Sequence, residues 1–405
     1  MTKKSLKLRR FVKTFVLPLI IMCFSCSQTK IDSRNIKDQN LNNNNNENVS
    51  LTNQEFVSNP VNLNIVMFVP TDNPALKDYK TRLSALFVYF QNWIHTEMMR
   101  YGYSTYLGLP VDQLTGLVKI IEIPASGTQA DYPYKSAISV GKIINEIKTF
   151  KTKNPAQFSS DNHCLVLLPA RTDDGNQPFY GHGKFCFAVD NSEMSVTGIP
   201  NPNSNYLGGM LHELGHGLNL PHSEAKYSEG FIHGTSLMGS GNYSFSKGQP
   251  TFLTESDAAI LNRNEVFQPA KSSSTPYLKP IYSLQPRFNI DNRQQKLFVN
   301  GSYTSTLPVS DILVYMDPNV NNEGTGVNKD YNAVTWRFSP QSIGLIQGTI
   351  DLNELNFKNN TPYELKIKLL LQNGHITSDV FPFQYNNGKL TTRLDSSLTF
   401  SNASY

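Results

Sequence analysis

Between residues 60 and 268 the apolar positions switch between two periods. Asn62 to Val69 alternates and then runs continuously apolar, as a central strand would, and Pro70 ends it. Tyr79 to Tyr101 repeats at the helical period, with Leu83, Leu86, Phe87, Phe90, Ile94 and Met98 on one stripe. Leu117 to Ile123 predicts a second strand, and Ala137 to Thr149 a second helix with Val140, Ile143, Ile144 and Ile147 inward. Cys164 to Leu168 predicts a buried strand, and Tyr180 to Asp190 another with Gly181 and Gly183 at its front. A helix follows from about Asn205 to Gly217, where Leu207, Leu211, Leu214 and Leu218 make one apolar face. A short last helix spans Thr254 to Asn262, capped by Thr254 with Asp257 three residues on. Strands alternating with helices imply an α/β (α+β) fold on a mostly parallel twisted sheet.

Past residue 268 the pattern changes. Residues 269–276, bounded by prolines and holding three serines, read as a linker. Short alternating strands then follow at Lys296 to Tyr303, Val309 to Met316, Ala333 to Phe338, Leu345 to Leu352, Tyr363 to Leu371 and His375 to Phe383. In Tyr363 to Leu371 the odd positions are apolar and the even ones mostly charged, which predicts a strand buried on one face only. Residues 277–405 thus read as an all-β sandwich domain. It shows no catalytic constellation and is open to two roles, binding glycan or protein, or spacing and stabilising the rest.

The first 59 residues are set apart. Lys3, Lys4, Lys7, Arg9, Arg10 and Lys13 precede an apolar run from Phe15 to Phe24, too short for a comfortable membrane span. Ser25-Cys26 closes it. A small residue and then Cys after such a run resembles a bacterial lipoprotein signal, which implies that residues 1–25 are removed and Cys26 is lipidated. The expected location is the cell envelope (outer membrane or cell surface), held at a membrane through the lipid, or secretion. Residues 26–59, centred on Asn42 to Asn46, are too polar to fold alone and read as a disordered tether. Six of the chain's 36 Lys and Arg, and none of its 32 Asp and Glu, lie in residues 1–25, which leaves 30 against 32. The remainder is near neutral with no basic cluster, so no nucleic-acid partner is expected.

The chemistry concentrates in His212-Glu213-Leu214-Gly215-His216-Gly217-Leu218-Asn219-Leu220-Pro221-His222. Residues four apart on a helix share a face, about 6 Å of rise apart, so His212 and His216 can hold one zinc ion. Glu213 then lies beside the metal, where a general base belongs. His222 would be about 9 Å further along a straight helix, so the chain must turn back. Gly217, Pro221 and above all Asn219, a residue tolerant of the left-handed conformation, supply that turn.

This stretch resembles the metzincin zinc-peptidase signature H-E-x-x-H-x-x-G-x-x-H, departing only at Asn219, where the family has glycine. Ser236-Leu237-Met238-Gly239 is similar to the methionine turn beneath the metal in that family, with Met238 as an apolar floor. The tyrosine that some members place two residues after this methionine is here Ser240, and Tyr243 lies further on. The resemblance spans residues 60–268. It implies a metzincin-like domain with Zn2+ held by His212, His216 and His222, and an endopeptidase acting on extracellular protein or peptide through a zinc-activated water and Glu213. It also implies an antiparallel edge strand that pairs with the substrate backbone, for which the segment beginning Gly183, Lys184 and Phe185 is the candidate. The alternative is a non-catalytic or glycoprotein-restricted binding protein whose sandwich domain recognises glycan or host protein. Cys164 and Cys186 leave a disulfide and two buried thiols equally open. His163 and His182 lack fixed spacing and read as surface residues rather than a second metal site.

Overall fold

In the computed structural model, five strands of the first half build one sheet in the order β2-β1-β3-β5-β4. The structure describes residues 55–174, 179–201, 206–270, 275–340, 344–392 and 401–402, all within one compact unit, 51–405. The expected signal, Cys26, nearly all of the tether and the centre of the 269–276 linker lie outside the described residues. No helix among the described residues is long and apolar enough to cross a membrane.

β1 (Asn64–Val69) is the central strand that its apolar run predicts, paired in parallel with β2 (Ile121–Pro124) and β3 (Cys164–Pro169). α1 (Tyr79–Met99) buries its predicted stripe, and α2 (Ser136–Lys153) covers the other face through Val140, Ile143, Ile144 and Ile147. α1 is pinned to the sheet by a buried Arg82, which donates to both carboxylate oxygens of Asp190 at 2.9 Å and to Met194 O at 2.8 Å.

β4 (Phe179–His182) and β5 (Phe185–Asp190) form a hairpin that corrects one expectation. Gly183 and Lys184 are its turn, with Gly183 at φ 60°, and Phe185 starts a strand enclosed between β3 and β4. The antiparallel edge is therefore β4, not the segment beginning at Gly183. The hairpin turn reverses the chain between the two candidates, and β5, with its run of buried residues, goes to the interior. Cys164 and Cys186 are both buried, free thiols.

α3 (Tyr206–Gly217) lies under this sheet with Leu207, Leu211, Leu214 and Leu218 all buried, each contributing about 1.5–3 kcal/mol of apolar burial. Beyond it come α4 (Tyr227–His233), β6 (Thr235–Ser236), α5 (Asn242–Ser246), β7 (Thr251–Phe252) and α6 (Glu255–Leu261). Thr254 caps α6, accepting from Asp257 N while Asp257 accepts from Thr254 N, as the spacing predicts.

The second half contains β8 (Tyr282–Asp291), β9 (Lys296–Ser305), β10 (Val309–Pro318), the short β11 (Val320–Asn321), β12 (Val334–Phe338), β13 (Leu345–Asp351), β14 (Thr361–Leu371), β15 (Asp379–Asn386) and β16 (Lys389–Thr392). An antiparallel sheet of order β12-β10-β14-β15-β16 faces a three-stranded sheet, β13-β9-β8, across one apolar core. The larger sheet is covered on its other face too. Leu313, Tyr315 and Leu370 belong to the core of the first half. β14 is therefore enclosed on both faces, against the expectation of one solvent face. Of its even positions, Leu370 packs into the core of the first half and Lys366 is buried on Asp317 and Asp330. Period-two patterning identifies two different faces but does not say what lies over the polar one.

Candidate metal centre

Backbone hydrogen bonds fold the end of α3 back on itself. Asn219 takes φ 74°, its N–H donates to His216 O at 2.9 Å, and Leu220 N–H donates to Gly215 O at 2.9 Å. These two bonds and a left-handed residue form a Schellman ending, with asparagine in the position glycine commonly fills. The reversal returns His222 to the trio. The candidate ligand atoms of His212, His216 and His222 all lie within 4.8 Å of one another, and the Nε2 atoms of His216 and His222 are 3.0 Å apart.

Each imidazole is oriented by a carbonyl. The Nδ1 atoms of His212 and His216 donate to Leu237 O at 2.7 Å and Leu220 O at 2.8 Å, and that of His222 donates to Lys329 O. A carbonyl only accepts, so every Nδ1 carries the proton and every Nε2 presents a lone pair. Burial holds all three rings below the usual histidine range; the His212 ring is lowered well below it, with its two neighbours adding to the effect, and His222 falls to about 3. Neutral lone pairs 3.0 Å apart repel unless a cation lies between them. The three neutral imidazoles are the donor type zinc takes, and the His216–His222 spacing is close to the separation of about 3.3 Å between ligands of such an ion.

Glu213 faces the same space. Burial, and then the charge of Glu323, raise its carboxyl to about 7, and its Oε2 is buried without a hydrogen-bond partner among the described residues. Gly181 of β4 sits over it: a Cβ there would stand 2.9 Å from Oε2 and 3.4 Å from the His216 Cβ. On the other side, a Cβ on Gly215 would meet Met238 Sδ at 2.5 Å, so the buried Met238 packs directly under the helix turn that joins the two ligands.

The second half completes the centre, which its sequence does not announce. The Tyr331 ring lies 3.8 Å from the His222 ring, centroid to centroid, at 32°. Lys329 O orients His222, and Glu224 N–H donates to Ala333 O at 2.7 Å. The loop carrying these groups is tied down beneath. Lys366 Nζ donates to Asp317 at 3.1 Å and Asp330 at 2.7 Å, and Asn328 donates to Asp317 at 2.8 Å. Burial alone would lower the Lys366 ammonium, but the two carboxylates outweigh it and hold it raised. The available signal was length: a polar connection from Asn319 to Asn332 is too long to be an ordinary hairpin loop.

Other candidate residues take ordinary roles. Against the surface expectation, His163 is buried with both nitrogens used: Nδ1 donates to Gly217 O at 2.6 Å and Nε2 accepts from the Tyr277 hydroxyl. It fastens the end of α3 and has no atom left for a metal. His182 is exposed on β4, in line with the surface reading. Lys184 and Gly183 border a cavity on the His216 side of the centre.

A carboxylate with one buried, unpartnered oxygen facing three imidazoles with inward lone pairs is the arrangement of a metal-dependent hydrolase, consistent with a metalloprotease. No protein-family model and no curated protein matches the chain. Among solved structures it is similar to wild-type OgpA from Akkermansia muciniphila, with 32% identity, a TM-score of 0.73, and coverage of 82% of this chain and 96% of that one. It is also similar to catalytically inactive OgpA solved in complex with an O-glycopeptide substrate, glycodrosocin, with 31% identity, a TM-score of 0.74, and coverage of 84% and 98%. The chain belongs to the OgpA family.

Proposed function

We propose that this protein is a zinc-dependent endopeptidase of the metzincin type that cleaves O-glycosylated peptides. The observation that carries the reading is the unpartnered Glu213 Oε2 beside three inward-facing Nε2 atoms. Family membership adds the substrate class, because OgpA has been solved with an O-glycopeptide substrate. His212, His216 and His222 would hold the zinc, which when bound supplies Lewis acidity and makes water nucleophilic near neutral pH. Glu213, with its carboxyl near 7, takes the proton of the attacking water and delivers it to the leaving amine. β4 offers its free edge to an extended peptide, and Gly181 keeps that edge bare above Glu213. Met238 fills the methionine-turn role as the floor under Gly215, and residues 60–268 form the peptidase domain.

The test compares purified wild type with Glu213→Ala and His216→Ala on an O-glycopeptide and on its deglycosylated counterpart. Wild type cuts only the glycosylated form. Glu213→Ala keeps zinc and loses cleavage, whereas His216→Ala loses both, with metal read by atomic absorption. Undiminished cleavage by a zinc-loaded Glu213→Ala protein would overturn the mechanism, and equal cutting of both peptides would overturn the substrate class. The leader and Cys26 support export to the cell envelope on a lipid anchor. Incorporation of labelled fatty acid, abolished in Cys26→Ala, tests that placement.

A further inference from the structure

On the His216 side of the centre lies an open cavity of about 510 Å3, within the size range of small-ligand sites. The β4–β5 turn, the residues just past α3, Tyr277 and the connection from β14 to β15 wall it. Two lysines and His375 line it, and no carboxylate does among the described residues. The Lys184 ammonium stands 3.0 Å above the Tyr277 ring centroid and donates to Asn162 at 3.3 Å, and that of Lys368 donates to Ser378 Oγ at 3.2 Å. Among the described residues neither lysine has an ion-pair partner.

Lys366, two residues earlier on the same face of β14, shows what pairing does. Its two carboxylates raise it, whereas burial lowers Lys184 to about 8 and lowers Lys368, the latter also through Lys366. Both ammoniums are half-buried, and Glu265 beside Lys184 and Asp317 and Asp330 beside Lys368 offset burial only in part, so an anion in the cavity would meet two cations that have no direct ion pair among the described residues. Gly183 and Lys184, the turn that ends β4, border the cavity, so it adjoins one end of that edge strand. We propose that this cavity is a subsite for an anionic group on the substrate, a carboxylate or a sulfate ester carried on a sugar or a neighbouring side chain. The subsite rests on the peptidase reading only for its link to substrate.

The test is therefore a binding measurement that needs no cleavage. The zinc-loaded full chain is titrated calorimetrically with lactose, sialyllactose, lactose sulfate and a blocked glutamate-rich tetrapeptide. At least one anionic probe binds where lactose does not, and which one binds identifies the source of the charge. Lys184→Met and Lys368→Met each weaken that binding roughly tenfold or more, and Lys368→Arg retains it. Anionic probes that bind no better than lactose, or binding unchanged in both methionine variants, overturn the subsite. An inactive but folded protein leaves this result readable, so the two readings fail separately.

Discussion

Gly181 shows how much one missing side chain controls. Its Cα stands over the carboxylate proposed as the general base, and a methyl group there would come within 2.9 Å of Glu213 Oε2. Gly181→Ala is expected to displace that carboxylate while leaving the three imidazoles on their carbonyls. An approximately 1 Å misplacement costs about a hundredfold in rate, so kcat falls by that order with zinc content unchanged. Steady-state kinetics beside metal analysis separate this result from loss of the ion. His163 teaches the converse. A buried histidine near a metal centre need not be a ligand, because here both of its nitrogens already serve Gly217 O and Tyr277.

At the scale of elements, α6 carries a titrating cap. Burial raises the fully enclosed Asp257 carboxyl to about 6, even though Thr254 and Ser223 donate to it and oppose the shift. A folded-state value above the unfolded one means that the folded protein holds the proton more tightly. Asp257 therefore subtracts stability as pH rises from about 4 to about 6. Asp257→Asn, which keeps an acceptor for Thr254 N–H, is expected to gain stability over wild type across that window. Urea unfolding of metal-free protein at pH 4, 5, 6 and 7 measures the difference. A gap between the two proteins that stays constant with pH would contradict it.

The elements that could be read from sequence are those set by local rules. The leucine stripe of α3, the Thr254 cap and the left-handed Asn219 all depend on neighbours within about one helical turn. The position of β5 inside the sheet does not, because strand order is decided by partners far along the chain. The same limit hid Tyr331 and Lys329 O. Their contacts with His222 span over a hundred residues and leave only a long polar loop as a trace.

For the molecule as a whole, the two halves share a core and the candidate centre, and Lys366 holds the loop that the second half brings to it. Lys366→Met would leave Asp317 buried without its cation, a loss of about 3–5 kcal/mol, and would free the loop that orients His222. The expected outcome is a lower melting temperature together with zinc affinity reduced about 10–100-fold, measured by unfolding with and without chelator and by competition with a zinc dye. A fall in melting temperature with zinc affinity unchanged would separate the loop from the metal. The distance in sequence between His222 and its carbonyl partner at Lys329, 107 residues, also sets an order of events during synthesis. The histidine trio leaves the ribosome first, and at about 5–20 residues per second the groups that orient its last member follow several seconds later. A nascent chain thus carries all three candidate ligands before it can align them. On the proposed function, the centre becomes competent to cut only once the second half is made and docked.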